Sequence, residues 1–172
     1  MNLQSNDFEL FELEKKFRQD RAAIDARWKE LQREAHPDKF AAQGASAQRV
    51  AMQWSVRINE AYQRLKGPLT RAAYLCELNG CPVNAENNTA MPASFLMQQI
   101  EWREVLDEAK TAEDVHRILE ETNEYGCKQL QKIEQAIDAQ QDFRQAVEHV
   151  RALMFVERFA TDVDARLDLL QQ

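Results

Sequence analysis

Residues 20–40, DRAAIDARWKELQREAHPDKF, contain both a strong helical pattern and the signal that ends it. Apolar residues recur there with spacings of four, three and four, at Ile24, Trp28, Leu31 and Ala35. At about 100° per residue these side chains share one face of an α-helix. We predict that the helix begins near Asp20 and ends at His36-Pro37, because proline disfavours a helical conformation in the residue before it.

The opposite face of this helix carries positive charge. Lys29 and Arg33 lie away from the apolar stripe, and His36 would continue the same solvent face. Residues 15–39 contain eight basic and five acidic residues, although the whole chain has a net charge of −7. A basic face that ends at a rigid His-Pro-Asp loop would attract and orient an acidic partner surface. The simpler alternative is a proline-terminated helix with a solvated charged face.

Further helices are predicted on both sides of this segment. Asp7 is a candidate N-cap for a short apolar helix over residues 8–13, and Ser46 is a candidate N-cap for a third helix. The third helix carries an apolar stripe of Val50, Trp54, Ile58, Ala61 and Leu65. Gly67-Pro68 would end it, and a shorter helix would then close at Asn79-Gly80.

The remainder of the chain predicts a separate helical domain. Residues 80–92 contain two prolines and three asparagines without apolar periodicity, which is typical of a boundary. Three long helices are predicted beyond it, at about 93–109, 112–139 and 142–170. Thr111 and Asp114 form a capping-box pattern at the start of the second. The predicted fold is therefore all-α, with an N-terminal domain at residues 1–80, a linker at 81–92 and a three-helix bundle at 93–172.

The composition argues against several functional classes. Four glycines and four prolines in 172 residues favour long helices over a turn-rich β fold. No run approaches the ~18 apolar residues of a membrane span, and no secretory signal is recognisable, so a cytoplasmic protein that does not bind membranes is expected. The acidic total argues against a nucleic-acid partner. The three cysteines, Cys76, Cys81 and Cys127, form no CxxC pair, so we expect no metal site, disulfide framework or cofactor.

The helix predicted at 93–109 has more apolar residues than one core stripe requires. One arc of about 100° contains Phe95, Trp102, Val105, Leu106 and Ala109. A second arc, on the other side, contains Leu96, Met97 and Ile100, interleaved with charged residues. Since a bundle helix turns one side to the core, the second arc is a candidate partner surface. Periodicity alone is equally consistent with burial of this second arc, either by docking of the N-terminal domain or by self-association.

The first half of the chain resembles the J-domain family. The resemblance lies in Leu31-Gln32-Arg33, His36-Pro37-Asp38-Lys39-Phe40, Ile58-Asn59-Glu60-Ala61-Tyr62 and Arg71-Ala72-Ala73-Tyr74-Leu75. J-domains dock on an ATP-driven chaperone and promote its ATP hydrolysis, and they do no chemistry themselves. The resemblance implies a chaperone-binding surface made of Lys29, Arg33, His36, Pro37, Asp38 and Lys39. A His/Asp catalytic dyad is the alternative, but neither a nucleophile nor a phosphate-binding loop accompanies it, so no enzyme activity is expected.

A J-domain followed by a helical bundle that opens with Phe-Leu-Met and Glu-x-Arg-Glu resembles the HscB family. These are dedicated co-chaperones of iron–sulfur cluster biogenesis, which bind the scaffold protein IscU and deliver it to the chaperone HscA. The resemblance implies a client-binding surface made of Leu96, Met97, Ile100, Glu101, Arg103, Glu104, Glu108 and Phe155. Phe155 is included because it is predicted to lie off the stripe of Phe143, Val147, Val150 and Met154 and matches a family contact.

The chain departs from the family pattern at three positions. Gln98 stands where an acid is common, Trp102 where leucine is common, and Met91 where relatives are basic. These changes affect the expected polar contacts more than the apolar ones. The Gly/Phe-rich segment and zinc module of general J-chaperones are not recognisable, which favours one dedicated client. The alternative function is a J-domain adaptor for a different client in protein assembly or secretion.

Overall fold

The computed structural model describes residues 2, 4–84 and 91–171. The chain divides into two compact units, Met1–Leu75 and Cys76–Gln172. Part of the predicted linker, residues 85–90, lies outside the described residues. Throughout the described ranges the regular elements are helical, which confirms the prediction of an all-α fold. The α-helices are α1 (Asp7–Leu10), α2 (Arg21–Glu34), α3 (Ala45–Lys66), α4 (Pro68–Leu78), α5 (Ala93–Glu108), α6 (Ala112–Glu134) and α7 (Phe143–Leu170).

The N-terminal unit is built on the hairpin of α2 and α3. Its core includes Ile24 and Leu31 from α2 and Ile58 from α3, all inaccessible to solvent. Trp28 stacks on Tyr62 with ring centroids 4.7 Å apart, which joins the two helices beside that core. The stripe predicted for α3 is confirmed at Ile58, Ala61 and Leu65, which are buried. Trp54 is half-buried, and Val50 remains exposed in the first turns of the helix.

The N-cap of α1 lies one residue earlier than predicted. Asn6 is the N-cap and accepts a hydrogen bond from the Glu9 backbone N–H, whereas Asp7 is inside the helix and fully buried. The prediction that Asp7 caps the helix is therefore wrong. Its carboxylate forms ion pairs with Arg57 and Arg64 of α3 instead, and its backbone N–H donates to the Tyr74 hydroxyl at 3.0 Å.

The start of α3 also differs from the prediction. Gly44, not Ser46, is the N-cap, and its φ of +97° is accessible to glycine without strain. Ser46 is inside the first turn, where its side chain makes no capping hydrogen bond. Between α2 and α3, residues Pro37–Gln43 form a 3-10 helix, so the chain turns tightly between the two long helices.

Helix α4 ends as predicted at Asn79-Gly80. Gly80 has a φ of +75°, and its N–H donates to the Glu77 carbonyl at 3.0 Å. The N–H of Cys81 donates to the Cys76 carbonyl at 2.9 Å, which completes a Schellman motif. A left-handed glycine thus satisfies the last carbonyls of the helix and turns the chain away from its axis.

The C-terminal unit contains α5, α6 and α7, as predicted for a three-helix bundle. The capping box of α6 is confirmed: the Asp114 N–H donates to the Thr111 hydroxyl, and the Thr111 N–H donates to the Asp114 carboxylate, both at 3.1 Å. Trp102 is buried in the core, and its indole N–H donates to Glu121 at 3.1 Å. A π-helical turn, Gln135–Ala139, follows α6 and leads towards α7.

Candidate functional site

The His-Pro-Asp loop joins the end of α2 to the 3-10 helix. The His36 backbone is extended and its imidazole caps the 3-10 helix, accepting a hydrogen bond at Nδ1 from the Asp38 N–H at 3.3 Å. Pro37 occupies the first position of that helix, where its missing N–H leaves no bond unmade. Because Nδ1 accepts a hydrogen bond, the proton of a neutral His36 ring lies on Nε2, where it can be donated outward.

The Asp38 carboxylate is the exposed end of this loop. One of its oxygens lies 3.6 Å from His36 Nδ1, and the side chain otherwise extends into solvent. Its backbone is held by the bond to His36, and the Lys39 N–H donates to the His36 carbonyl at 3.0 Å. The loop therefore presents a carboxylate and an imidazole on a fixed backbone, a geometry suited to directed hydrogen bonds with a partner.

The predicted docking charges lie on the exposed face of α2. Lys29 and Arg33 are both exposed, and neither forms an ion pair within the part of the chain that the structure describes. Arg27 differs, because it is bound to Glu12 at 3.1 Å and to Glu30 at 3.2 Å. Lys29 and Arg33 thus keep their charge available to a partner.

A polar cluster, not recognised in the sequence, fixes the end of α2 that leads into the loop. The Gln32 amide donates to the Asn59 side chain at 2.8 Å and to the Ser55 carbonyl at 3.2 Å. The Trp28 indole N–H donates to the same Asn59 oxygen at 2.9 Å. The sequence contains these polar residues on two predicted helices. That they face each other could be recognised only if the packing of the two helices were already known.

A second candidate surface lies on α5. Met97 and Ile100 are 63% and 57% exposed, whereas Leu96 is partly buried and packs against the core of the C-terminal unit. The prediction for Val105 is wrong, since it was assigned to the core arc and is exposed. Val105 lies at the edge of that arc, whereas the part of α5 that packs against α6 is the side that carries Trp102. Val105 therefore lines an open cleft beside Ile118.

Acidic side chains surround the exposed apolar residues of α5. Glu101, Glu104 and Glu108 are all exposed on the same side of the helix as Met97 and Ile100. Gln98, one of the positions that departs from the family pattern, donates to Glu101 at 3.3 Å. A partner would complement this surface with apolar side chains bordered by lysine or arginine.

The predicted client contact Phe155 is buried, with 7% of its surface exposed, and it lies in the core of the C-terminal unit. Phe155 does lie off the stripe of Phe143, Val147, Val150 and Met154, but α7 buries a wider arc than that stripe, so the ring is in the core and not on the surface. Its ring stacks on Trp102 and Phe159 at centroid distances of 6.2 and 5.7 Å. The Arg103 guanidinium lies 5.6 Å from the Phe155 ring centroid and 3.8 Å from the Asp162 carboxylate. Phe155 thus lies beneath Arg103 and exposes little of its own surface to a partner.

The described ranges contain no group of three or more His, Cys, Asp or Glu side chains that could hold a metal ion. Within the same ranges, no helix is long and apolar enough to cross a membrane. Burial, with a smaller contribution from Cys81, raises the pKa of the Cys76 thiol to about 11. At neutral pH Cys76 is therefore a protonated thiol that packs as an apolar residue.

Comparison with known proteins places these features in one family. The profile described as the HSCB C-terminal oligomerisation domain matches residues 91–164. Proteins named co-chaperone protein HscB homolog are 43% identical in Burkholderia multivorans and 44% identical in Burkholderia thailandensis, over 99% of both chains. The crystal structure of human HscB superposes with a TM-score of 0.91 at 25% identity, over 96% of this chain and 84% of that one. HscB from Vibrio cholerae gives a TM-score of 0.85 at 30% identity, over 96% and 99%.

Proposed function

The chain belongs to the HscB family of co-chaperones, and we propose that its His-Pro-Asp loop stimulates ATP hydrolysis by an HscA-type chaperone. The observation that carries this proposal is the exposed Asp38 carboxylate, held on a fixed turn at the end of the unpaired basic face of α2. Lys29 and Arg33 attract an acidic surface of the chaperone, and the loop then makes directed hydrogen bonds to it. The chain itself does no chemistry in this proposal.

We further propose that the α5 surface binds an IscU-type scaffold protein and thereby serves iron–sulfur cluster assembly. Met97 and Ile100 supply the apolar centre, and Glu101, Glu104 and Glu108 supply an acidic border that selects a basic partner surface. Leu96 and Phe155 mainly support this surface and make little direct contact with the scaffold, since both pack in or against the core of the C-terminal unit. Arg103, held over Phe155, supplies the one basic contact within this predicted set.

The chaperone half of the proposal is tested by Asp38→Asn. The substitution removes the carboxylate charge and leaves the backbone hydrogen bonds of the loop in place, so the helical fold should be retained. A hydrogen bond to a charged group is worth about 1.5–3 kcal/mol. We therefore expect the stimulation of the ATPase rate to fall by about tenfold to a hundredfold. The measurement is the steady-state ATPase rate of the HscA-type chaperone.

The matched control is Asp168→Asn, which removes an exposed carboxylate from α7 and should stimulate like the unmodified chain. Undiminished stimulation by Asp38→Asn would contradict the proposed mechanism.

The client half is tested by replacing Met97 and Ile100 together with alanine. Burial of one such side chain is worth about 1.5–3 kcal/mol, and two are replaced, so the dissociation constant for the scaffold should rise by at least about a hundredfold. Because both side chains are exposed in the free chain, the unfolding temperature should change little. Isothermal titration calorimetry with an IscU-type scaffold measures the first effect, and thermal denaturation measures the second.

Leu169→Ala provides the control, because Leu169 is an equally exposed apolar residue on α7. An unchanged affinity in the Met97 and Ile100 variant, or an equal loss in the Leu169 variant, would remove α5 as the client surface.

A further inference from the structure

An apolar cleft of about 650 Å³ lies beside the His-Pro-Asp loop in the N-terminal unit. Phe40 and Trp54 line it, together with three alanines, at positions 35, 47 and 51, and with Val50. Glu34, Gln43 and Ser46 add polar groups to this lining. The cleft exists because the alanines leave a space between the 3-10 helix and α3 that larger side chains would fill.

Large apolar side chains in the lining of this cleft remain partly exposed to solvent in the folded N-terminal unit. Val50 has 48% of its surface in contact with solvent, and Trp54 and Phe40 are each only half-buried. Apolar atoms gathered around a concave surface are a feature of sites where another molecule binds. Burying them against a partner would remove apolar area from water that folding leaves exposed.

The position of the cleft indicates which partner covers it. Phe40 belongs to the 3-10 helix that carries Asp38, two residues before it, and a rise of about 2 Å per residue keeps the two close along the chain. An interface of ordinary size, about 800 Å² on each partner, that is centred on Asp38 would therefore extend to the cleft. Three exposed cations, Arg33, Lys39 and Arg49, each adjoin a lining residue in sequence, whereas Glu34 is the one acidic residue of the lining. The partner surface around the apolar side chain should therefore be mainly acidic.

We infer that the cleft receives an apolar anchor side chain, such as leucine, isoleucine or methionine, that projects from the acidic surface of the ATP-driven chaperone. The inference rests on the proposed function and adds to it a second contact, which contributes affinity while the His-Pro-Asp loop contributes stimulation. Anchors of this kind, buried in a preformed pocket beside charged contacts, often dominate the affinity of an interface.

Val50→Asp tests the inference in the full-length chain. Because Val50 is half-exposed, the variant should fold, but its charge would stand in the wall of the cleft. We expect the concentration of co-chaperone that gives half-maximal ATPase stimulation to rise by about tenfold or more, with the maximal rate retained. Val56→Asp is the matched control, since Val56 is 53% exposed on the same helix and does not line the cleft.

A second variant, Ala47→Leu, narrows the cleft without adding charge and should shift the half-maximal concentration in the same direction. Circular dichroism establishes that each variant is folded. Suppose that both cleft variants keep the wild-type half-maximal concentration while Asp38→Asn loses stimulation. That result would overturn the anchor inference and leave the proposed function intact. Equal losses in Val50→Asp and Val56→Asp would also overturn it. Full stimulation by Asp38→Asn would instead contradict the proposed function itself.

Discussion

Asp7 illustrates how one charged residue can organise the N-terminal unit. Its carboxylate is fully buried, and it lies 2.7 Å from Arg57 Nη1 and 3.0 Å from Arg64 Nη2. The Arg64 guanidinium also lies over the Tyr74 ring at 5.2 Å. A buried carboxylate is tolerated only when its charge is paired and its oxygens are hydrogen-bonded, and here both arginines come from α3. Asp7 thereby fixes α1 on the hairpin that carries the His-Pro-Asp loop.

We expect Asp7→Ala to lower the free energy of unfolding by about 3 kcal/mol or more, because it leaves two arginines without their buried partner. Urea denaturation followed by circular dichroism measures the change. Asp168→Ala, which removes an exposed carboxylate, should change stability by less than about 0.5 kcal/mol. A loss in Asp7→Ala no larger than that of the control would show that the ion pairs add nothing to stability.

At the scale of elements, the contact between α6 and α7 depends on a small residue. Gly126 lies within α6 and is buried, and a methyl group added to it would lie 3.4 Å from a Val156 methyl and 3.6 Å from a Leu153 methyl. Both distances are ordinary van der Waals contacts. Glycine here permits a close approach of the helices, and the space is sufficient for one methyl group.

We therefore expect Gly126→Ala to stabilise the C-terminal unit by up to about 1 kcal/mol, since alanine loses less backbone entropy than glycine in a helix. Gly126→Leu should instead destabilise it, because the larger side chain would clash with Val156 and Leu153. Thermal unfolding of both variants measures the two effects. A fall in unfolding temperature for Gly126→Ala would show that the helices cannot accommodate even one methyl group.

At the scale of the whole molecule, each proposed binding surface lies within one unit. The His-Pro-Asp loop and the basic face of α2 belong to Met1–Leu75, and the exposed residues of α5 belong to Cys76–Gln172. A chain that binds the chaperone and the client at separate surfaces holds the client near the chaperone. It thereby raises the effective concentration of the client at the chaperone without any new contact between the two.

This arrangement predicts that the two activities can be removed separately. Asp38→Asn should bind the scaffold with unchanged affinity, and the Met97 and Ile100 double alanine variant should stimulate the chaperone fully when no scaffold is present. Calorimetry and the ATPase assay, applied to both variants, measure this independence. If either variant lost both activities while remaining folded, the surfaces would be energetically coupled and the separate assignment would be wrong.

Local chemistry makes much of this protein readable from sequence. The end of α2 before Pro37, the capping box at Thr111 and the glycine stop at Gly80 are each decided within a few residues, because they depend on backbone conformation and nearby hydrogen bonds. Helical periodicity likewise determined the apolar face of α2 and the exposed side of α5, and the His-Pro-Asp motif identified the loop.

The tertiary structure decided which neighbouring element covers each position. Asp7 became a buried ion pair because α3 brings two arginines to it. Val50 and Val105 remained exposed because the helices that face them leave open clefts and do not pack against them. Phe155 entered the core because Trp102 and Phe159 enclose its ring. Periodicity specifies directions around one helix axis, whereas burial depends on where other helices lie, and that follows only from packing the chain in three dimensions.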